Sequence, residues 1–361
     1  MNVNERLKLI KEVGEEIVTN DELKALLNEK EKFVAYDGFE PSGTDIHIAQ
    51  GLLRAINVNK MTKAGAHFKM WVADWHAWAN NKMGGDLEKI QYVGNYYIEV
   101  WKACGMDLDN VEFIWASEAM GKKEYWKIVM NIARTSSLNR IIRCGQIMGR
   151  SEKDNLSASQ IFYPCMQAAD IFYLKADVTQ LGVDQRKVNV LAREVGPKLG
   201  FWKPIIVSHH MLMGLNEPPK DSKDMDAKDR TIELKMSKSK PDTAIFMTDS
   251  EKDIKRKMNK AWCPQGQVDE NPIMEYFKYI IFEKYDKIDI KRPEKFGGDL
   301  NIGSYDELTE MFSSGKVHPM DLKNTAGNYI NELIDPIREK LLNDPKIKEM
   351  REKIQTFKVT R

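Results

Sequence analysis

Cysteine is scarce, and what there is shows no pairing pattern. Cys104, Cys144, Cys165 and Cys263 stand far apart. None has the spacing of a zinc knuckle or a redox pair, and four are too few for a disulfide framework. A reducing, cytoplasmic setting is the expectation. Long apolar runs are also missing. The richest, Met70–Ala79, is interrupted by Asp74 and His76 and is shorter than the roughly 20 residues of a bilayer-spanning helix. The N-terminal segment is charged through its first turns and lacks the apolar core of a secretory signal. No repeat and no low-complexity tract is present. Net charge is scarce too, at +1. That excludes a general polyanion-coating protein but leaves room for a local nucleic-acid face. No His/Cys/Asp cluster has metal-ligand spacing.

What is present is the composition of a globular protein, 42% hydrophobic and 30% charged over 361 residues. At about 150 residues per domain, that length suggests two or three domains. Residues 5–30 carry helical apolar spacing (Leu7, Ile10, Ile17, Leu23, Leu26, Leu27), so a helical segment is expected over 1–32. Phe33–Tyr36 reads as a strand ending in a turn at Asp37-Gly38. Ile46–Ala64 reads as a helix stopped by Gly65. Phe68–Ala73 and Val111–Ala116 read as strands, and between them Asp86 caps a helix running to about Cys104. Ala176–Gln180 and Pro204–Ser208 are further strand candidates, with a helix from about Asp184 to Val195 between them. Strands alternating with helices imply an α/β, Rossmann-like doubly wound parallel sheet over residues 33–230. The polar stretch Pro218–Arg230 reads as a mobile loop. After about residue 250, helical periodicity broken by Arg292-Pro293, Gly297-Gly298 and Gly315 predicts a mostly α-helical domain over 251–361.

Two segments carry chemistry. The first, Tyr36-Asp37-Gly38-Phe39-Glu40-Pro41-Ser42-Gly43-Thr44-Asp45-Ile46-His47-Ile48-Ala49-Gln50-Gly51, follows a strand and opens a helix. Amides at a helix N-terminus, after a glycine that permits close approach, favour bound phosphate. His47 is expected in the first turn, where its imidazole can reach a phosphate oxygen. An ordinary strand–turn–helix junction with a solvated histidine fits these residues equally well. The second, Leu234-Lys235-Met236-Ser237-Lys238-Ser239-Lys240, lies in the 231–250 loop. Its three lysines can close over a polyphosphate and neutralise a leaving pyrophosphate. Taken alone, it reads as a solvated basic loop.

His47-Ile48 and Lys235-Met236-Ser237-Lys238-Ser239 together resemble the HIGH and KMSKS signatures of class I aminoacyl-tRNA synthetases. Several segments look like the tyrosyl-tRNA synthetases of archaeal and eukaryotic cytoplasmic type. These are Gly38-Phe39-Glu40-Pro41-Ser42-Gly43, Tyr163-Pro164-Cys165-Met166-Gln167-Ala168-Ala169-Asp170, Gly182-Val183-Asp184-Gln185-Arg186-Lys187, Lys291–Asp299 and His318–Asn324. The likeness runs from about residue 30 to 345. One departure lies in the first signature, whose third and fourth positions are Ala49 and Gln50. Gln50 can donate a hydrogen bond to phosphate or ribose but carries no charge.

The resemblance implies a tyrosine–tRNA ligase that takes L-tyrosine, ATP with Mg²⁺ and tRNA(Tyr), holds no structural metal, touches no membrane and forms a homodimer. It implies that His47, Lys235 and Lys238 stabilise phosphate charge, and that Ser42, Gly43, Gln50, Gly182 and Asp184 also line the ATP site. Tyr36 and Asp170 would meet the substrate phenol, and Tyr163, Gln167 and Gln185 its α-amino group. On the residues alone, Tyr36 and Tyr163 read more readily as core aromatics and Asp170 as a surface acid. However, Tyr163, Gln167 and Asp170 share one helix face by spacing. His76 reads as pocket-lining or as a strand-end cap, and Trp71, Trp75 and Trp78 as core or wall. Phe296, His318 and Asp321 would read the anticodon by stacking and edge contacts, although Phe296 alone reads as core. Lys252–Lys260 is the best local basic patch, and Arg186-Lys187 is a second. The stretch of about 115–160 is expected to be the inserted dimerisation and acceptor-stem element. Two other readings compete: a tryptophan–tRNA ligase, and an inactive synthetase paralogue acting as a binding protein.

Overall fold

The computed structural model describes residues 1–149, 155–219, 225, 227–238 and 240–357. A six-stranded sheet is built from β1 (Gly14–Val18), β2 (Phe33–Phe39), β3 (Ala66–Val72), β4 (Val111–Trp115), β5 (Val178–Gly182) and β6 (Ile205–His209). Its order is β1-β6-β5-β2-β3-β4. All neighbours run parallel except β1, which pairs antiparallel with β6 at the edge. The strands cover the expected doubly wound pattern. β2, β3 and β4 step outward in one direction, and the chain then returns to place β5 on the other side of β2. The carboxyl ends of β2 and β5 therefore diverge at a topological switch point, where open parallel sheets bind their ligands. β5 is buried at every position, as a strand covered on both faces must be.

Several local expectations differ from the structure. Residues 5–30 are not one helical segment: β1 separates the helices Val3–Val13 and Asn20–Glu29. Each helix has a complete capping box, on Asn2 and on Thr19. β2 does not turn at Asp37-Gly38 but continues to Phe39, because the ladder to β3 extends through Phe39↔Val72. The helix expected from Ile46 begins at Ala49, with a π-turn over Ala49–Leu53 before the α-helix Arg54–Lys63. His47 thus precedes the helix, and its carbonyl accepts from the amides of Gln50 and Gly51, each at 2.9 Å. Asp86 caps Leu87–Ala103 as expected, accepting from the Lys89 amide. Trp71 is buried, but Trp78 is 45% exposed and is not a core residue. Part of Pro218–Arg230 lies outside the described residues, and its far end opens a helix, Ala227–Leu234. Residues 150–154, within the expected insertion, and Ser239 also lie outside them.

Contacts divide the chain into two compact units. One comprises 1–44, 57–210 and 350–361, and the other 45–56 and 211–349. The second is mostly helical, with a small antiparallel pair, β7 (Ile288–Ile290) and β8 (Leu300–Ile302). His47 and its neighbours therefore belong with the C-terminal helices. Among the described residues no helix is long and apolar enough to cross a membrane.

Candidate functional site

In the first unit, a buried polar cluster forms beside β2. The helix Ala158–Tyr173 starts on a Ser157 capping box and is buried over most of its length. It brings Tyr163, Gln167 and Asp170 to one face, and all three are buried. The reading of Asp170 as a surface acid is overturned, since the residue is 1% exposed. Its Oδ1 accepts the Tyr125 hydroxyl at 2.7 Å, and its Oδ2 lies 3.0 Å from His76 Nε2. The His76 ring stands edge-on to Tyr163, with centroids 5.2 Å apart. Gln167 Nε2 donates to Gln185 Oε1 at 3.0 Å, and Gln185 Nε2 donates to the Ile147 carbonyl at 3.1 Å.

These groups perturb one another. Burial raises the Tyr36 phenol well above its ordinary value, and the Asp170 and Asp37 charges raise it further. Burial and Asp170 do the same to Tyr125, and burial with Glu40 to Tyr163. Burial alone would lower His76, but Asp170's charge and hydrogen bond outweigh it and hold the imidazole above its usual range. His76 therefore lines the cluster as Asp170's partner. All three phenols stay protonated, so they remain donors. A buried carboxylate already held by two partners still has lone pairs to accept a third donor, such as a substrate phenol.

Sequence reasoning missed Tyr125 and Glu40. Tyr125 shares the buried face of the helix Lys123–Thr135 with Val129 and Ile132, so its spacing marks it as core and nothing local marks its hydroxyl. Glu40 was visible in the first signature but had no assigned role. It accepts from Asn80 Nδ2 at 3.0 Å and bonds the Tyr163 hydroxyl. Asp74 accepts from the Ser117 amide at 3.0 Å and Gln91 Nε2 at 2.9 Å, which fixes the turn that delivers His76.

Gly182 ends β5 and Asp184 sits in the short turn after it, both at the switch point. Gly43 has a positive φ of 88°, a conformation glycine adopts without strain. The Ser42 carbonyl accepts the Tyr97 hydroxyl at 2.5 Å, which holds this turn against Leu87–Ala103.

The second unit holds a cationic cluster. His47 is buried and opposes Phe246 in an antiparallel bridge, and Lys235 opposes Met213 in another. The Met236 amide donates to the Leu212 carbonyl at 2.7 Å, and the Gly214 amide to the Leu234 carbonyl at 2.9 Å. The start of the lysine segment, Leu234–Met236, is thus held by backbone bonds to Leu212–Gly214 rather than free. Burial, with the charges of Lys238, Arg54 and Lys235, pushes His47 well below its ordinary value. At neutral pH the imidazole is therefore neutral. Gln50 is half-buried in the π-turn that follows.

Phe296 lies at the end of a short 3₁₀ turn and is 61% exposed, with the Lys295 ammonium 4.9 Å from its ring centroid. It is not a core residue. His318 is the exposed N-cap of the helix Pro319–Asn343, and Asp321 stands in its first turn. Arg292 ties these two segments together, donating to the Gly298 carbonyl at 2.9 Å and the Lys316 carbonyl at 2.8 Å. The basic run on the helix Glu251–Lys260 is weaker than it reads. Arg256 pairs with Asp242 at 2.9 Å, Lys255 with Glu251 at 2.5 Å, and Lys257 is buried. Arg186 likewise pairs with Glu16 at 2.6 Å. Among the described residues no group of three or more His, Cys, Asp or Glu side chains is arranged to hold a metal ion.

The family model of class I tRNA synthetases (W and Y) matches residues 28–335. Tyrosine–tRNA ligase 1, cytoplasmic, of Arabidopsis thaliana is 49% identical over 362 residues, covering 99% of this chain and 90% of that protein. A tyrosine–tRNA ligase of Saccharolobus islandicus is 42% identical, with 98% of both chains covered. The crystal structure of the tyrosyl-tRNA synthetase of Pyrococcus horikoshii complexed with L-tyrosine superposes with a TM-score of 0.90 at 37% identity, covering 98% of this chain and 100% of that one. The tryptophanyl-tRNA synthetase of Plasmodium falciparum, at 18% identity and a TM-score of 0.68, shares the fold. The buried carboxylate–phenol–imidazole cluster and the two signatures thus stand in a chain that belongs to the class I aminoacyl-tRNA synthetases, among the tyrosine–tRNA ligases of archaeal and eukaryotic cytoplasmic type.

Proposed function

We propose that Asp170 is the acceptor that selects tyrosine and that His47, Lys235 and Lys238 stabilise the phosphate charge of its activation by ATP. The reaction has two steps. A carboxylate oxygen of tyrosine attacks the α-phosphorus of ATP as the bond to the bridging oxygen breaks, giving tyrosyl-adenylate and pyrophosphate. A terminal ribose hydroxyl of tRNA(Tyr) then attacks the activated carbonyl, and AMP leaves. A carboxylate is already a nucleophile, so the first step needs positioning and charge stabilisation more than a strong base.

The observation that carries this reading is Asp170, buried and bonded to both Tyr125 and His76. A substrate phenol donates to it. Phenylalanine would occupy the same volume and leave buried polar groups unsatisfied, at a cost of about 1–3 kcal/mol for each such group. Tyr36 stands with Asp170 at the phenol, while Tyr163, Gln167 and Gln185 hold the α-amino group. Neutral His47 donates to a phosphate oxygen, and Lys238, assisted by Lys235, neutralises the leaving pyrophosphate. Ser42, Gly43, Gln50, Gly182 and Asp184 hold ATP, which brings Mg²⁺ on its phosphates. Phe296, His318 and Asp321 read the anticodon of tRNA(Tyr). A homodimer is supported by apolar side chains left exposed within 115–160, Met130 at 48% and Leu138 at 60%.

ATP–pyrophosphate exchange with tyrosine, phenylalanine and tryptophan tests the assignment. Exchange with tyrosine alone is expected. Exchange with tryptophan but not tyrosine would overturn it in favour of the tryptophan enzyme. Absence of any exchange with tRNA binding retained would favour the inactive paralogue.

A further inference from the structure

We propose that Lys257 is a positioning residue for His47, acting through residues 244–249. This rests on the role given to His47 above. The helix Glu251–Lys260 turns Ile254, Lys257 and Met258 inward, so a lysine occupies a place where an apolar residue would satisfy the helix pattern. Its side chain is 5% exposed. A buried ammonium needs compensation, and each group that supplies it lies in one six-residue strap. Lys257 Nζ is 2.6 Å from Asp249 Oδ2, donates to the Ala244 carbonyl at 2.9 Å and lies 5.0 Å from the Phe246 ring centroid. Asp249 Oδ2 also accepts the Phe246 amide at 2.9 Å, closing the strap on itself. The Asp249 carbonyl accepts Arg338 Nη1 at 2.7 Å, from the helix Pro319–Asn343.

The other edge of this strap carries His47. The Ile48 amide donates to the Ile245 carbonyl at 2.7 Å and the Met247 amide to the Ile46 carbonyl at 2.9 Å, while the Thr248 hydroxyl bonds Asp45. His47 itself opposes Phe246. The backbone on both sides of the imidazole is therefore bonded to the segment that Lys257 gathers. The ammonium touches neither His47 nor any reacting atom. Its effect is to set where the His47 ring stands, and a small misplacement of a charge-stabilising group is costly in rate.

The test is a double-mutant cycle on adenylate formation in the full chain, with kcat referred to active sites titrated by bound tyrosyl-adenylate. His47→Ala is expected to lower kcat. Lys257→Met, similar in length and without charge, is expected to lower it by about 10- to 100-fold with tyrosine KM unchanged. Lys257→Met placed on His47→Ala is expected to add nothing, because residues acting through one another are non-additive. Multiplicative losses would overturn the proposal while leaving the His47 role standing. An unchanged kcat in His47→Ala would overturn the His47 role itself and remove the basis of the proposal. Should Lys257→Met not fold, Asp249→Asn keeps the shape of the strap and weakens the same pair. The same non-additivity is expected there, and a raised tyrosine KM with independent kcat losses would refute the link.

Discussion

Around Asp170, a phenol and an imidazole are buried against one carboxylate, whereas around His47 burial and the charges of Lys238, Arg54 and Lys235 act on one imidazole. The first cluster is tied together before any substrate arrives by the Tyr125–Asp170 bond and the Asp170–His76 pair, yet Gln167 Oε1 and His76 Nδ1 are buried with no hydrogen-bond partner among the described residues. In the second, burial first and then the gathered positive charge hold the His47 pKa well below its ordinary value. The difference follows from what each must recognise. Choosing between tyrosine and phenylalanine requires dipoles that are fixed and dry, so that a missing hydroxyl leaves an unpaired group. Stabilising pyrophosphate requires excess cationic charge that a polyanion can relieve. On the proposed assignment, one cluster would serve discrimination and the other rate.

Substitutions that separate these effects sharpen the contrast. The largest loss is expected from Lys238→Ala, which should lower kcat for adenylate formation by about 10²- to 10³-fold, in line with removal of one charge-stabilising donor. Tyrosine affinity by equilibrium dialysis should stay within about twofold of the parent. A loss of tyrosine binding as large as the loss of rate would break the division. Asp170→Asn should do the reverse. The preference for tyrosine over phenylalanine in pyrophosphate exchange is expected to fall by about 10- to 100-fold, since a hydrogen bond to a charged acceptor contributes about 1.5–3 kcal/mol. ATP KM should be unchanged.

His76 offers a smaller effect with a definite sign. Its pKa is raised in the folded chain above the ordinary 6.5. The bond to Asp170 thus contributes stability that is fully present below pH 6.5 and is lost as pH rises through the higher folded value. Chemical denaturation of His76→Gln against the parent should show a deficit of about 2 kcal/mol at low pH, the size of a charge-assisted buried bond, shrinking as pH rises. A deficit that grows with pH would show that the imidazole is neutral.

The two regions were unequally legible in the sequence. Tyr163, Gln167 and Asp170 announce a shared helix face by spacing alone, and β2, β3 and β4 announce themselves as apolar runs between helices, while β5, with Thr179 and Gln180, gives a fainter signal. The resemblance then singled out that face among many. Three features resisted. β1 carries Glu15 and Glu16 and becomes a strand only by pairing with β6, far along the chain; local periodicity cannot register such a partner. Tyr125 has the spacing of a core residue, and only the fold shows where its hydroxyl goes. Lys257 sits in a run of basic residues that reads as solvated, yet it is the one turned inward, because the 3.6-residue period places it beside Ile254 and Met258. Residues whose role is set by a partner distant in sequence carry no local mark of it.

Phe296 extends the comparison to the face assigned to tRNA, where the expected effect is smallest. Both clusters above are proposed to act on tyrosine and ATP, whereas Phe296 is exposed on a separate turn held by Arg292. Pyrophosphate exchange, which needs no tRNA, should therefore be unaffected in Phe296→Ala. Aminoacylation should weaken through a higher KM for tRNA(Tyr), by roughly fivefold, corresponding to about 1 kcal/mol, the lower end for a single base stacked on an aromatic ring. The exposure of the ring gives the prediction its edge, because removing a side chain that fills no core leaves little route for a general loss of folding. Equal losses in exchange and aminoacylation would mean that Phe296 communicates with tyrosine activation, and the assignment of its turn to tRNA alone would fall.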